Sequence, residues 1–167
     1  ENYRHEVVHG IHNHWVVNGW DYTKHERIFE YKHLDGSRVN QISNVLNTIK
    51  NNFEEKGRVS GRDFQATTWM PWNDLFVDDP PCLQRIHFRL FEIPDLKGEF
   101  VLHMSTDWRS RDLFKAWFMN VYAMTDLQRM MAGRIQETLD RKVHIGNYVD
   151  YSNSLHIYGA YEKDFCK

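Results

Sequence analysis

Two alternating runs constrain this chain most. Ile86, Phe88 and Leu90 are apolar at every second position, and so are Phe100, Leu102 and Met104. A period of two marks a strand with one buried face, and the turn residues Asp95 and Gly98 between the runs make them a predicted hairpin. A hairpin must bury that face under another layer. Val39, Ile42, Val45, Leu46, Ile49 and Phe53 recur at three- and four-residue steps. They predict an amphipathic helix with Ser37 as its N-cap and Gly57 as its stop. Residues 64–69 read as a further strand, 113–124 as a buried helix, 127–139 as a second helix, and 143–158 as extended with breaks near Gly146 and Ser152-Asn153. Residues 1–37 read as irregular, with a turn at Asp35-Gly36. The order of helix, strands, helices and strand gives an α+β fold, a mixed sheet packed with long helices, over one domain of residues 1–167.

Bulk properties exclude several classes. A net charge of −2 argues against a nucleic-acid binder, which normally carries a basic surplus. Two cysteines, Cys82 and Cys166, are too few for a disulfide framework, so a cytoplasmic location is expected. No apolar run reaches the length of a membrane span. The polar, histidine-rich start ENYRHEVVHG is no signal peptide, and a chain beginning at Glu1 is expected to be a piece of something longer. His5, His9, His12 and His14 lie among no cysteine or carboxylate spacing that fits a metal site, so no metal is expected.

The chemistry concentrates in two words, DDPPCLQRIHFRL and DWRSRDLFKAWFMN. Cys82 follows two prolines that stiffen its backbone. Alone, such a cysteine reads as a small buried hydrophobe. Arginines nearby in sequence, Arg85 and Arg89, would favour the thiolate, which is the nucleophile. Arg109-Ser110-Arg111-Asp112 reads as the mouth of a helix, with Ser110 as its N-cap and Asp112 favouring the dipole. Free N–H groups there, with an arginine fork, would suit a phosphate. Asn120 is an amide in an otherwise apolar helix. It is either a structural bond or a reader of a base edge, since a carboxamide presents a donor beside an acceptor. His156 and Tyr158 are two apart on a strand and share a face, either as a polar pair or as donors to sugar hydroxyls.

Together, PPCLQRIHFR, RSRD with an asparagine eight residues on, and SLHIYG resemble thymidylate synthase, and most closely its divergent archaeal-type branch. YTKHERIFEY, VNQI and GRDFQATTWMPWNDL resemble upstream words of the same family, so the likeness is clearest over residues 20–161. The resemblance implies 5-methylation of deoxyuridylate (dUMP) with 5,10-methylenetetrahydrofolate by a homodimer. It implies Cys82 as the nucleophile at C6 of the pyrimidine and Arg109 and Ser110 as phosphate ligands. Asp112 matches the carboxylate that holds the folate pterin, and Asn120 the amide that reads uracil. His156 and Tyr158 match the ligands of the deoxyribose 3′-hydroxyl. Arg62 matches the first of two arginines that reach the partner subunit's phosphate.

The likeness has departures. Asp63 stands where the family has its second arginine, unless Arg58 substitutes, and Leu83 stands where most members have histidine. The family's general-base glutamate falls in a segment with no match, where Glu6 is the nearby acid, and no folate-closing tail is recognisable. Two alternatives stay open: a pyrimidine-nucleotide hydroxymethylase of the same fold, and a non-catalytic nucleotide-binding scaffold. An aspartate at position 120 would point to cytosine, so Asn120 favours uracil.

Overall fold

The computed structural model describes residues 2–165. The N-terminal third carries α1 (Asn2–His9), α2 (His14–Val17), α3 (Lys24–Phe29), β1 (Tyr31–Lys32), β2 (Arg38–Val39) and α4 (Gln41–Lys56). Next come β3 (Gln65–Thr67), α5 (Pro71–Asp74), β4 (Leu83–Glu92), β5 (Phe100–Trp108) and β6 (Arg111–Asp112). The chain continues through α6 (Trp117–Leu139), β7 (Val143–Ser152), β8 (Leu155–His156), a 3-10 turn (Gly159–Tyr161) and α7 (Glu162–Phe165).

The expected hairpin is the spine. β4 and β5 pair antiparallel from Glu92↔Phe100 down to Leu83↔Trp108. β3 joins β4 antiparallel and β7 joins β5 parallel, giving the mixed order β3-β4-β5-β7. The alternation read from sequence becomes burial: Ile86, Phe88, Leu90, Leu102 and Met104 face a layer formed by α4 and α6. α6 contributes Met124, Leu127, Met131 and Ile135 to that core, and α4 contributes Ile42, Val45 and Ile49. The register of β5 and β7 shifts between Leu102 and Met104, opposite the break expected near Gly146. Buried Gln128 of α6 donates there to Leu102 O at 2.9 Å and Gly146 O at 3.3 Å, so the kinked carbonyls keep a partner.

Local chemistry corrects several boundaries. Residues 1–37 are not irregular. Thr23 caps α3 by accepting from Glu26 N at 3.1 Å, and α1 packs on α6 and α3, burying Val7. Such short helices have too few turns to show a period and depend on tertiary packing. α4 starts at Gln41 and not at Ser37, because Arg38 and Val39 pair with Lys32 and Tyr31 and Asn40 makes the cap to Ser43 N at 2.9 Å. Gly57 ends α4 as expected, in the left-handed region at φ 61°. A methyl added there meets no atom within 4 Å. Gly57→Ala should therefore cost about 1 kcal/mol through the backbone alone. Urea denaturation measures it, and an unchanged midpoint would contradict this account. One helix, Trp117–Leu139, stands in place of the two expected over 113–124 and 127–139.

Candidate functional site

The open end of the hairpin brings the two chemical words together. The ladder runs one step beyond Leu83↔Trp108, so Arg109 N donates to Cys82 O at 2.9 Å. The Arg109 side chain then wraps the proline loop, with Nε donating to Pro81 O at 3.1 Å and Nη2 to Pro80 O at 2.5 Å. Prolines leave their carbonyls available as acceptors, and here they fasten the guanidinium beside the thiol.

Cys82 is half-buried and free of any disulfide; Cys166 lies outside the described residues. Burial pushes the Cys82 thiol above its ordinary value. Arg109 pulls it down, Asp79 pushes it up, and Lys24 and Arg111 pull it down more weakly. The cations beside Cys82 are Arg109, Lys24 and Arg111, whereas Arg85 pairs with Asp107 and Arg89 lines a separate depression; desolvation outweighs all three.

The second word does not open a helix. Ala116, not Ser110, precedes α6, and it makes no side-chain cap. Arg111 and Asp112 form β6 instead, pairing in parallel with Leu155 and His156. Asp112 Oδ1 accepts from Phe114 N at 2.9 Å and Lys115 N at 3.2 Å, turning the chain toward α6. A helix-mouth phosphate site at residues 109–112 is therefore excluded, and any anion held there relies on Arg109 and Ser110 themselves.

β6 and β8 complete the wall. Arg111 N donates to Ser154 O and Leu113 N to His156 O, both at 2.8 Å. The strand expected to carry both His156 and Tyr158 ends at His156, so Tyr158 lies past it; the two rings still meet edge-on, 4.8 Å between centroids. Asn120 is buried on α6, one turn past Trp117. Arg62 is not brought to Cys82. It lines a separate polar depression with Lys56, Arg58, Asp63 and Arg89.

Two residues gain importance from the structure. Tyr22 is linked to Cys82 through a backbone hydrogen bond, and burial raises its phenol to about 12. It also lines a cavity of about 320 Å³ with Glu6, Trp15, Trp20, Lys24 and Asp79. Glu6 is 4% exposed. Its Oε1 accepts from Lys24 N at 3.0 Å, while its buried Oε2 has no hydrogen-bond partner. Lys24 Nζ lies 3.9 Å from that oxygen. A carboxylate oxygen buried without a hydrogen bond is costly, so Glu6, on the cavity wall, is a candidate contact for a ligand or its water. The tyrosine-led word at residues 22–31 was the only sequence signal for Tyr22.

Residues 11–164 match the family model described as thymidylate synthase. The chain belongs to the thymidylate synthase family. Cys82, Arg109, Asn120, His156 and Tyr158 all fall inside that match, and Glu6 precedes it. The relatives are mostly from methanogenic archaea. A protein named "Putative thymidylate synthase" from Methanocaldococcus jannaschii is 27% identical over 172 residues, covering 100% of this chain and 66% of that protein. One of the same name from Methanothermobacter thermautotrophicus is 28% identical over 120 residues, covering 72% of this chain and 46% of it. The thymidylate synthase of Brachyspira hyodysenteriae is 26% identical over 140 residues, 82% of this chain and 44% of that protein. The chain thus spans between about half and two thirds of these thymidylate synthases' length.

Proposed function

We propose that this chain carries the nucleotide site of an enzyme that methylates dUMP at C5, using 5,10-methylenetetrahydrofolate as the one-carbon donor. One observation carries the reading: the hairpin's open end fastens Cys82 to Arg109 by a backbone bond and a guanidinium clamp.

The chemistry follows from what uracil lacks. Its C5 is a poor nucleophile. Addition of the Cys82 thiolate at C6 converts C4, C5 and O4 into an enolate, and C5 then attacks an electrophilic carbon. Arg109 and Ser110 hold the phosphate. His156 and Tyr158 meet the 3′-hydroxyl, and Asn120 meets the uracil edge and supports charge growing at O4. Methylenetetrahydrofolate supplies the one-carbon unit and the hydride that reduces it. The cavity lined by Tyr22, which bonds the Cys82 backbone, suits such a planar ring system: Trp20 offers an exposed aromatic ring, and Glu6 offers an acceptor. Asp112 is assigned to the pterin, and Glu6 to moving the protons exchanged at the base. Lys24 Nζ, 3.9 Å from Glu6 Oε2, is a cation beside it.

A homodimer is part of this proposal. The sheet face opposite the core exposes Arg85, Phe91, Val149 and Tyr151. A second copy there would place Arg62 near the partner's phosphate. Among the described residues no helix is long and apolar enough to cross a membrane.

Calorimetric titration with dUMP tests the reading. Arg109→Ala should weaken binding by roughly 30- to 150-fold, the loss of a charge-assisted contact worth about 2–3 kcal/mol. An unchanged dissociation constant would place the phosphate elsewhere. Asn120→Asp should shift the ratio of dUMP to dCMP affinity toward cytosine, because a carboxylate cannot donate to O4. An equal ratio in the two proteins would make Asn120 a structural amide only.

A further inference from the structure

Arg111 lies between residues assigned to phosphate and pterin, yet no role has been given to it. It is 2% exposed. Its Nη1 donates to both carboxylate oxygens of Asp150, at 2.9 and 2.8 Å. Its guanidinium carbon lies 3.6 Å from the centroid of the Trp108 ring, and Nη2 reaches Trp117 O at 3.4 Å. Its Nε is buried with no hydrogen-bond partner. Around the pair runs a closed polar chain. Tyr148 OH donates to Asp150 Oδ2 at 2.8 Å and lies 2.8 Å from Thr106 Oγ1, which also accepts from Trp108 Nε1 at 2.9 Å.

Stability alone is a poor reason for this arrangement. Removing two charges from water costs about as much as their attraction returns, and apolar residues of similar volume often do as well. One guanidinium nitrogen holds both carboxylate oxygens while Nε goes without a partner, so hydrogen bonding has not been maximised either. The arrangement does fix position. Through one planar group it joins the end of β5, the β6 strand, β7 and the first turn of α6.

We propose that Arg111 is a positioning residue: with Asp150 and Trp108 it sets the placement of Arg109–Ser110, Asp112 and Asn120 around the nucleotide, and presents a buried positive charge toward Cys82. Arg109, Ser110 and Asp112 lie within two residues of Arg111, and Asn120 is on the helix whose first turn it holds. The proposal rests on the nucleotide-site reading for its first half. The second half is independent of that reading and stands on geometry: Trp108, on which the Arg111 guanidinium stacks, pairs with Leu83, the residue next to Cys82.

The test uses two readouts on Arg111→Met, Arg111→Lys and Asp150→Asn. One is dUMP affinity. The other is the pH midpoint of Cys82 alkylation, resolved by peptide mass spectrometry. The groups acting on Cys82 include Arg109, Asp79, Lys24, Arg111 and Tyr22, and a change confined to Arg111 leaves the others in place. A misplaced contact lowers binding on the order of 10- to 100-fold, and that loss is expected for both Arg111 variants although neither side chain touches nucleotide. The alkylation midpoint should rise in Arg111→Met, which deletes a cation, and stay near wild type in Arg111→Lys. It should fall in Asp150→Asn, which keeps the shape of the pair and removes the charge that neutralises Arg111. These opposite shifts are the signature that a merely structural residue would not give. Wild-type affinity together with unmoved midpoints, whatever happens to the melting temperature, would overturn the proposal. Should Arg111→Met fail to fold, Asp150→Asn decides alone, since a midpoint that does not fall overturns it. Absence of dUMP binding in the wild type would instead defeat the nucleotide reading and leave the Cys82 arm to judge Arg111.

Discussion

Replacing Cys82 by serine is expected to abolish covalent capture of 5-fluorodeoxyuridylate in the presence of methylenetetrahydrofolate, and to lower turnover of dUMP by at least about 10³-fold. The substitution keeps the shape of the loop, because Pro80, Pro81 and the Arg109 clamp use only main-chain oxygens there. It removes the thiol at this site, which can become a soft anion at accessible pH. Burial holds the Cys82 thiol above its usual value, so the reactive fraction grows as pH rises, and capture should quicken toward alkaline pH. Intact-mass measurement reads the adduct directly. A wild-type protein that forms none, or a serine variant that still does, would overturn the assignment.

The largest expected effect on stability lies at Arg27 and Asp74. Arg27 is 3% exposed and Asp74 2%. Their contact is bidentate, Nη1 to Oδ2 at 3.0 Å and Nη2 to Oδ1 at 2.7 Å. Arg27 also donates to Thr68 O, and Asp74 Oδ2 also accepts from Met70 N at 2.6 Å. Asp74→Ala would leave a guanidinium buried without its counter-charge, and about 3–5 kcal/mol of stability should be lost. Against a typical total of about 5–15 kcal/mol, that moves a urea midpoint visibly. Arg27→Met with Asp74→Leu should recover much of the loss, because the desolvated charge goes with its partner. A single variant as stable as wild type would contradict the account. The guanidinium also sits 5.4 Å from the Tyr22 ring centroid, so Asp74→Ala should disturb the Tyr22–Cys82 contact as well.

Local patterns were legible in the sequence where burial follows a period. The hairpin and α4 with its glycine stop could be read because alternation and three- or four-residue steps are the direct imprint of one buried face. The pairing of Cys82 with Arg109 follows from folding the hairpin about its turn. What stayed hidden depends on partners far along the chain. Ser110 looked like a helix cap, but β6 is recruited by β8 more than forty residues later, and long-range pairing overrides local preference. The short N-terminal helices carry too few turns for a period. Arg111 read as one more arginine in a basic word. Its partner Asp150 and the stacking face of Trp108 become visible only when β5 and β7 lie side by side.

The irregular register between Leu83 and Arg85 has a consequence for how the thiol is presented. Above it, the inward residues of β4 are even-numbered: Ile86, Phe88 and Leu90. Below it Leu83 is the fully buried residue, while Cys82 and Gln84 are only half-buried. One extra residue on β4 therefore changes the parity of the strand next to the nucleophile. Had residues 82–90 alternated unbroken, Cys82 would have shared the inward face of Ile86. Deleting Gln84 takes out the extra residue itself and leaves Leu83 inward, so Cys82 should keep its half-buried place and stay open to alkylating reagents.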